Sequence, residues 1–159
     1  MIRDAVLAFS AAFVLIVAVS SGVAQTPATR PPARSIWDGV YTDAQSQRGE
    51  QLYAKHCSRC HGADLAGLPV TPSFPGAKDR TPALMGPLFD SNYNDLPLSD
   101  LVERIRISMP QERPGSLNRT TTVDIVAYLL FKSGFPLGRT ELTDRLDGLQ
   151  EVAIVPYRR

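Results

Sequence analysis

Cys57-Ser58-Arg59-Cys60-His61 is the stretch on which the reading of this chain turns. Two thiols three residues apart, with an imidazole directly after the second, make C-x-x-C-H, the attachment signature of a c-type haem. The spacing has a physical basis. On a helical turn, positions i, i+3 and i+4 share a face, so both sulfurs and the imidazole can meet one flat ring. The thiols add across the two vinyl groups of the porphyrin and the imidazole is offered to the iron. The opposite side of the metal is then open, and its ligand decides what the haem does.

Two other chemistries use the same residue types. A structural zinc site needs four ligands; the chain has two Cys and two His, and His56 sits next to Cys57, poorly placed to complete a tetrahedron. A thiol–disulfide pair wants a βαβ setting and a helix N-terminus to lower its thiol pKa. Here the pair closes a helical pattern with no strand before it.

Upstream of the motif, a helix is expected over residues 42–60. Thr42 with Gln45 is a capping-box pattern, and Gly49, Tyr53, Cys57 and Cys60 share a face. Gly at 49 costs a helix about 1 kcal/mol relative to Ala, which points to another backbone passing close by. Residues 26–34 (T-P-A-T-R-P-P-A-R) favour extended polyproline II and read as a tether. Trp37, between Ile36 and Tyr41, reads as a clasp on the domain edge. Met1-Ile2-Arg3, the apolar run over 5–19 and Gly22-Val23-Ala24 read as an export leader, with cleavage expected after Ala24. The run is short for a membrane span, which needs about 20 residues, so a membrane association is expected only if the segment is retained. The expected location is periplasmic, where covalent haem attachment is feasible.

Downstream, Pro and Gly exclude regular structure over 62–80, and Asn92-Tyr93-Asn94-Asp95 reads as turn. A helix is expected over 100–108, capped by Ser99 and stopped by Pro110, which biases Met109 away from helical angles. Met109 thus lies in an extended, proline-bounded segment. Its thioether is a soft ligand, and it is favoured over Met85 as the group opposite His61. Asn118 is expected to cap a largely buried helix that Gly134 ends at Ser133. The tail from Phe135 has a short helical pattern over 140–149 and reads as a surface strap.

The 159 residues leave room for one domain after the leader. Four segments are expected: the leader 1–24, a tether and clasp 25–41, a haem domain 42–134 and a C-terminal extension 135–159. The net charge of +1 excludes a basic surplus of the kind that nucleic-acid binding needs. Both cysteines lie in the motif, so there is no disulfide framework.

The order of these parts resembles the class I (mitochondrial-type) cytochromes c over about 42–134. It runs from the helix with Gly49 and Tyr53 through C-x-x-C-H, Pro82-Ala83-Leu84-Met85-Gly86 and Met109-Pro110 to a terminal helix around Tyr128. The resemblance implies an all-α fold of three to five helices around one covalent haem c and its iron, with the first and last helices crossing at Gly49 and an aromatic. It implies that Pro82 accepts the His61 Nδ1–H through its carbonyl, that Leu84 packs on the haem and that Met109 is the sixth ligand. Residues 109–117 and 135–138 are similar to bacterial cytochromes accompanying quinoprotein (PQQ-dependent) alcohol dehydrogenases. The implied role is a one-electron carrier, not an enzyme, between such a dehydrogenase and a terminal oxidase or other cytochrome. The rival is a haem peroxidase or gas-binding protein with an open sixth site. Arg59, Arg80, Arg104 and Arg113 are candidates to meet a haem propionate.

Overall fold

Thr42 opens the first long helix, α1 (Asp43–His56), its Oγ1 accepting the Gln45 N–H at 3.2 Å. The structure, a computed structural model, describes residues 33–68 and 81–155, all within the unit Pro31–Arg159. The leader, the tether up to residue 32, the loop 69–80 with Arg80, and the last four residues lie outside the described residues. Only half of the expected capping box forms, because the Gln45 side chain turns away from the helix start. Its Nε2 donates to Leu142 O at 3.0 Å and its Oε1 accepts from Leu142 N at 2.7 Å. Helix α1 also stops four residues short of the expected end. At Cys57 the backbone swings to φ −126°, ψ −37°, and a four-residue helix, α2 (Ser58–His61), follows.

The helix expected from Asn118 forms as α5 (Arg119–Lys132). Asn118 Oδ1 accepts from Thr121 N at 2.8 Å, and Gly134 takes a left-handed φ of +82° just past the end. Residues 122–130 are all buried, as its apolar composition requires. Helix α5 makes its main helix–helix contact with α1, and Gly49 is where they meet. A Cβ at 49 would lie 1.9 Å from the Asp124 carbonyl oxygen and 2.9 Å from Tyr128 Cβ. One turn on, the Tyr53 and Tyr128 rings stack at a tilt with centroids 5.3 Å apart. The close approach inferred from a lone Gly is therefore a helix crossing with an aromatic beside it.

Between these helices the structure departs from expectation twice. Pro87 begins a helix, α3 (Pro87–Tyr93), so Asn92 and Tyr93 are helical and the turn is confined to Asn94 and Asp95, the latter at φ +62°. Pro at the first helical position after Gly86 is a start signal that the polar run hid. Helix α4 (Leu98–Ser108) begins two residues early, with Pro97 as its cap; Ser99 is buried inside the first turn and bonds Asp100. It ends at Ser108 as expected, with Met109 extended at φ −122°, ψ 153° ahead of Pro110.

The tail is not a surface strap. Leu142, Leu149, Val152 and Ile154 are buried in the main core with Ile36, Leu98, Leu101, Val102, Val126 and Leu130. Its helix is shorter than expected, α6 (Leu146–Gln150), and is followed by β2 (Val152–Ala153), which pairs in parallel with β1 (Arg34–Ser35). Trp37 closes the edge: its ring meets Phe135 edge-on at 4.9 Å and its Nε1 donates to Val155 O at 2.6 Å. Apart from this two-stranded pair and a 3-10 turn at Ile36–Asp38, the described architecture is helical. A second cluster, of Tyr53, Leu65, Leu117, Ile125, Tyr128 and Leu129, lies against the motif.

Gln45→Ala tests the clamp on the tail. It strands the N–H and C=O of Leu142 in a buried setting, at about 1–3 kcal/mol each. Denaturant unfolding should show a loss of about 2–4 kcal/mol; a midpoint equal to that of the parent would show that the tail is held by its apolar residues alone.

Candidate cofactor site

The Cys57 carbonyl organises the motif. It accepts from Cys60 N at 3.1 Å and from His61 N at 2.9 Å, which winds the five residues into one tight turn at the end of α1. Tyr53, one turn earlier, supports that turn from beneath by donating its buried hydroxyl to Gly62 O at 2.6 Å. Cys57 and Cys60 are both free and partly buried. Burial, and then the neighbouring Cys60, push the Cys57 thiol up to about 11. This is opposite to the lowered pKa that a redox-active thiol needs. No three His, Cys, Asp or Glu side chains are grouped to hold a metal ion among the described residues, so the zinc alternative finds no ligand set there.

His61 is buried, and its Nδ1 donates to the Pro82 carbonyl at 2.8 Å. With that nitrogen committed, the lone pair is on Nε2. The loop that carries Pro82 is tied to the motif at several points. Thr81 Oγ1 donates to Cys60 O, Leu68 N donates to Thr81 Oγ1 at 2.8 Å, and Leu84 N donates to Leu65 O at 2.9 Å. Gly67 permits this closure. It holds φ +75°, and a Cβ there would lie 2.1 Å from Thr81 O.

Cys57, Cys60, His61, Pro82, Leu84 and Met109 all line one cavity of about 310 Å³. Met85 does not line it; its side chain packs with Leu84 on the second apolar cluster. The wall is completed by residues that the motif reading did not single out: Phe89, Asn92 and Tyr93 of α3, Ile105 of α4, and Ile125 and Leu129 of α5. The apolar make-up of α5 on most of its sides, rather than its period, marked Ile125 and Leu129 as buried; nothing local distinguished a cavity wall from ordinary core.

Of the arginines considered, Arg104 lines this cavity and shows no ion pair among the described residues. It lies near enough to Tyr93 for its charge to oppose the upward push of burial on that phenol. Arg59 and Arg113 line a neighbouring groove with Lys55, His56, Pro110 and Glu112, and Arg59 pairs with Glu112. Burial, then the charges of Lys55 and Arg113, lower the His56 pKa.

The donor set fits a covalent haem. Two free thiols, an imidazole with its outer nitrogen engaged and a thioether all face one largely apolar space. A family model described as Cytochrome C oxidase, cbb3-type, subunit III matches residues 44–129. No curated protein and no solved structure matches the chain.

Proposed function

The chain belongs to the family described as Cytochrome C oxidase, cbb3-type, subunit III; it is thus a c-type cytochrome with covalent haem c, and we propose that it works as an exported single-haem carrier with His61 and Met109 on the iron. When bound, the haem supplies an iron that takes up and gives up one electron at a time. Everything else falls to the chain. Cys57 and Cys60 fix the ring in place. His61 offers Nε2, made more basic by the hydrogen bond from its Nδ1–H to Pro82 O. Met109 offers a soft sulfur, which favours the ferrous state and so raises the potential. Leu84, Ile105, Ile125 and Leu129 keep water from the ring faces, which disfavours the more highly charged ferric site. Arg104, on the cavity wall, would hold the haem carboxylates, where a guanidinium fork would give the stronger, charge-assisted hydrogen bonds.

The observation that carries this reading is that His61, Pro82 and Met109 line the same cavity while Met85 does not. On this reading the protein is class I, periplasmic and not an enzyme. It passes electrons from a dehydrogenase to a respiratory acceptor, and the likeness at 109–117 and 135–138 favours a PQQ-dependent donor. Acid–acetone extraction with oxidised and reduced visible spectra tests it. The colour should stay with the protein, and the ferric form should show the near-red sulfur–iron band. Haem that leaves with the acetone refutes covalent attachment; a missing band with rapid peroxide turnover favours the open-site enzyme.

A further inference from the structure

Met109 is covalently remote from the motif it faces, and the segment that follows it is a short surface loop. Met109 itself is fixed to α4 through its N–H, which donates to Ile105 O at 2.8 Å. The next residues turn at once: Arg113 N donates to Pro110 O at 2.8 Å, with Pro110 buried. Gln111 and Glu112 occupy the middle of this turn and line the cavity. From it, Glu112 Oε1 reaches Arg59 Nη2 at 2.5 Å. Arg59 is one of the two residues between the thiols, so this contact ties the loop after the thioether to the turn that holds both sulfurs.

We propose that the Arg59–Glu112 ion pair is a latch that holds the Met109 loop closed and sets how easily a foreign ligand displaces the thioether. The proposal rests on Met109 as the sixth ligand. For a small base to take that position, the sulfur must leave and the loop that follows it must shift. Whatever the pair contributes in the closed state is then lost, and the affinity for the foreign ligand falls by the same factor. Glu112 is accordingly a positioning residue. The side chains are 75% and 49% exposed, so the coupling is modest and screened by salt.

Imidazole is the probe, titrated into the ferric holoprotein at low ionic strength and followed by the near-red band. Glu112→Gln leaves the attachment motif intact and should bind imidazole about 1.5–5-fold tighter, the range that an exposed pair supports. Arg59→Glu sets two carboxylates face to face and should have a larger effect. The exchanged double variant, R59E with E112R, should return towards the parent affinity. The gap between parent and Glu112→Gln should close near 1 M salt, where screening acts within about 3 Å. Parent-like affinity in Glu112→Gln, or no recovery in the exchanged double variant, overturns the latch alone. Absence of the near-red band from the parent overturns the assignment of Met109, and the latch with it.

Discussion

Replacing Met109 with alanine is expected to abolish the near-red band of the ferric protein and to lower its midpoint potential by an amount on the order of 0.1–0.3 V, within the span of about 0.8 V that axial ligands control. The sign follows from the softness of sulfur. A thioether holds ferrous iron better than ferric, so its loss favours the oxidised state. Water or added ligands should then reach the iron, and a slow peroxide activity should appear that the parent lacks. Met85→Ala is the matched comparison. Met85 packs on the Tyr53–Leu65 cluster and does not line the cavity. Its removal should cost some packing stability while the band and the potential stay where they were. If Met85→Ala removes the band and Met109→Ala does not, the ligand has been assigned to the wrong loop.

The two methionines show what a sequence can and cannot settle. Pro110 fixes the backbone at Met109 by local sterics, and that much was legible. Which sulfur faces the motif depends on where α4 ends in space relative to α2, and no local pattern encodes that. The same division runs through the fold. Helix α5 was readable end to end, because a cap, a predominantly apolar stretch and a stopping glycine all lie within seventeen residues. The break at Cys57 was not, since no Gly or Pro stands beside it to signal a stop and the carbonyl of Cys57 accepts from two N–H groups at once. The tail was the least legible part. Its place depends on Gly138 lying against Gly39, where a Cβ would fall 1.8 Å from the Gly39 oxygen, and on Gln45 reaching Leu142. Those partners are about a hundred residues apart in the chain, and a short polar segment carries no periodicity that announces them. At the candidate site the ligand types were legible from chemistry, while the α3 side of the wall was hidden behind Asn and Asp that read as turn.

Gly49→Ala should destabilise the protein by about 2 kcal/mol or more, and Gly49→Val by enough to reduce the yield of folded holoprotein sharply. Helix propensity alone predicts the opposite for alanine, a gain of about 1 kcal/mol. Any loss therefore reports the crossing with α5. The added Cβ meets a backbone carbonyl at 1.9 Å, and a carbonyl inside a helix cannot rotate aside as a side chain can. Overpacking of this kind costs typically 1–3 kcal/mol, and more where nothing yields. The alternative is for α5 to move away, but α5 is held on both sides of the contact. Arg48 grips Asp124 at 3.0 Å and Glu141 of the tail at 2.9 Å, while Tyr128 stacks on Tyr53. Any shift would also displace Ile125 and Leu129, which line the cavity from the same helix. The stability loss should thus come with a disturbed near-red band, because the wall behind the haem moves. Gly134→Ala separates this from simple backbone strain. Gly134 sits at φ +82° with nothing within 4 Å of the added carbon, so only the left-handed cost of about 1–2 kcal/mol applies. That variant should lose stability with an unchanged spectrum. Equal spectra and equal losses in the two variants would mean that the helix crossing does not bear on the site.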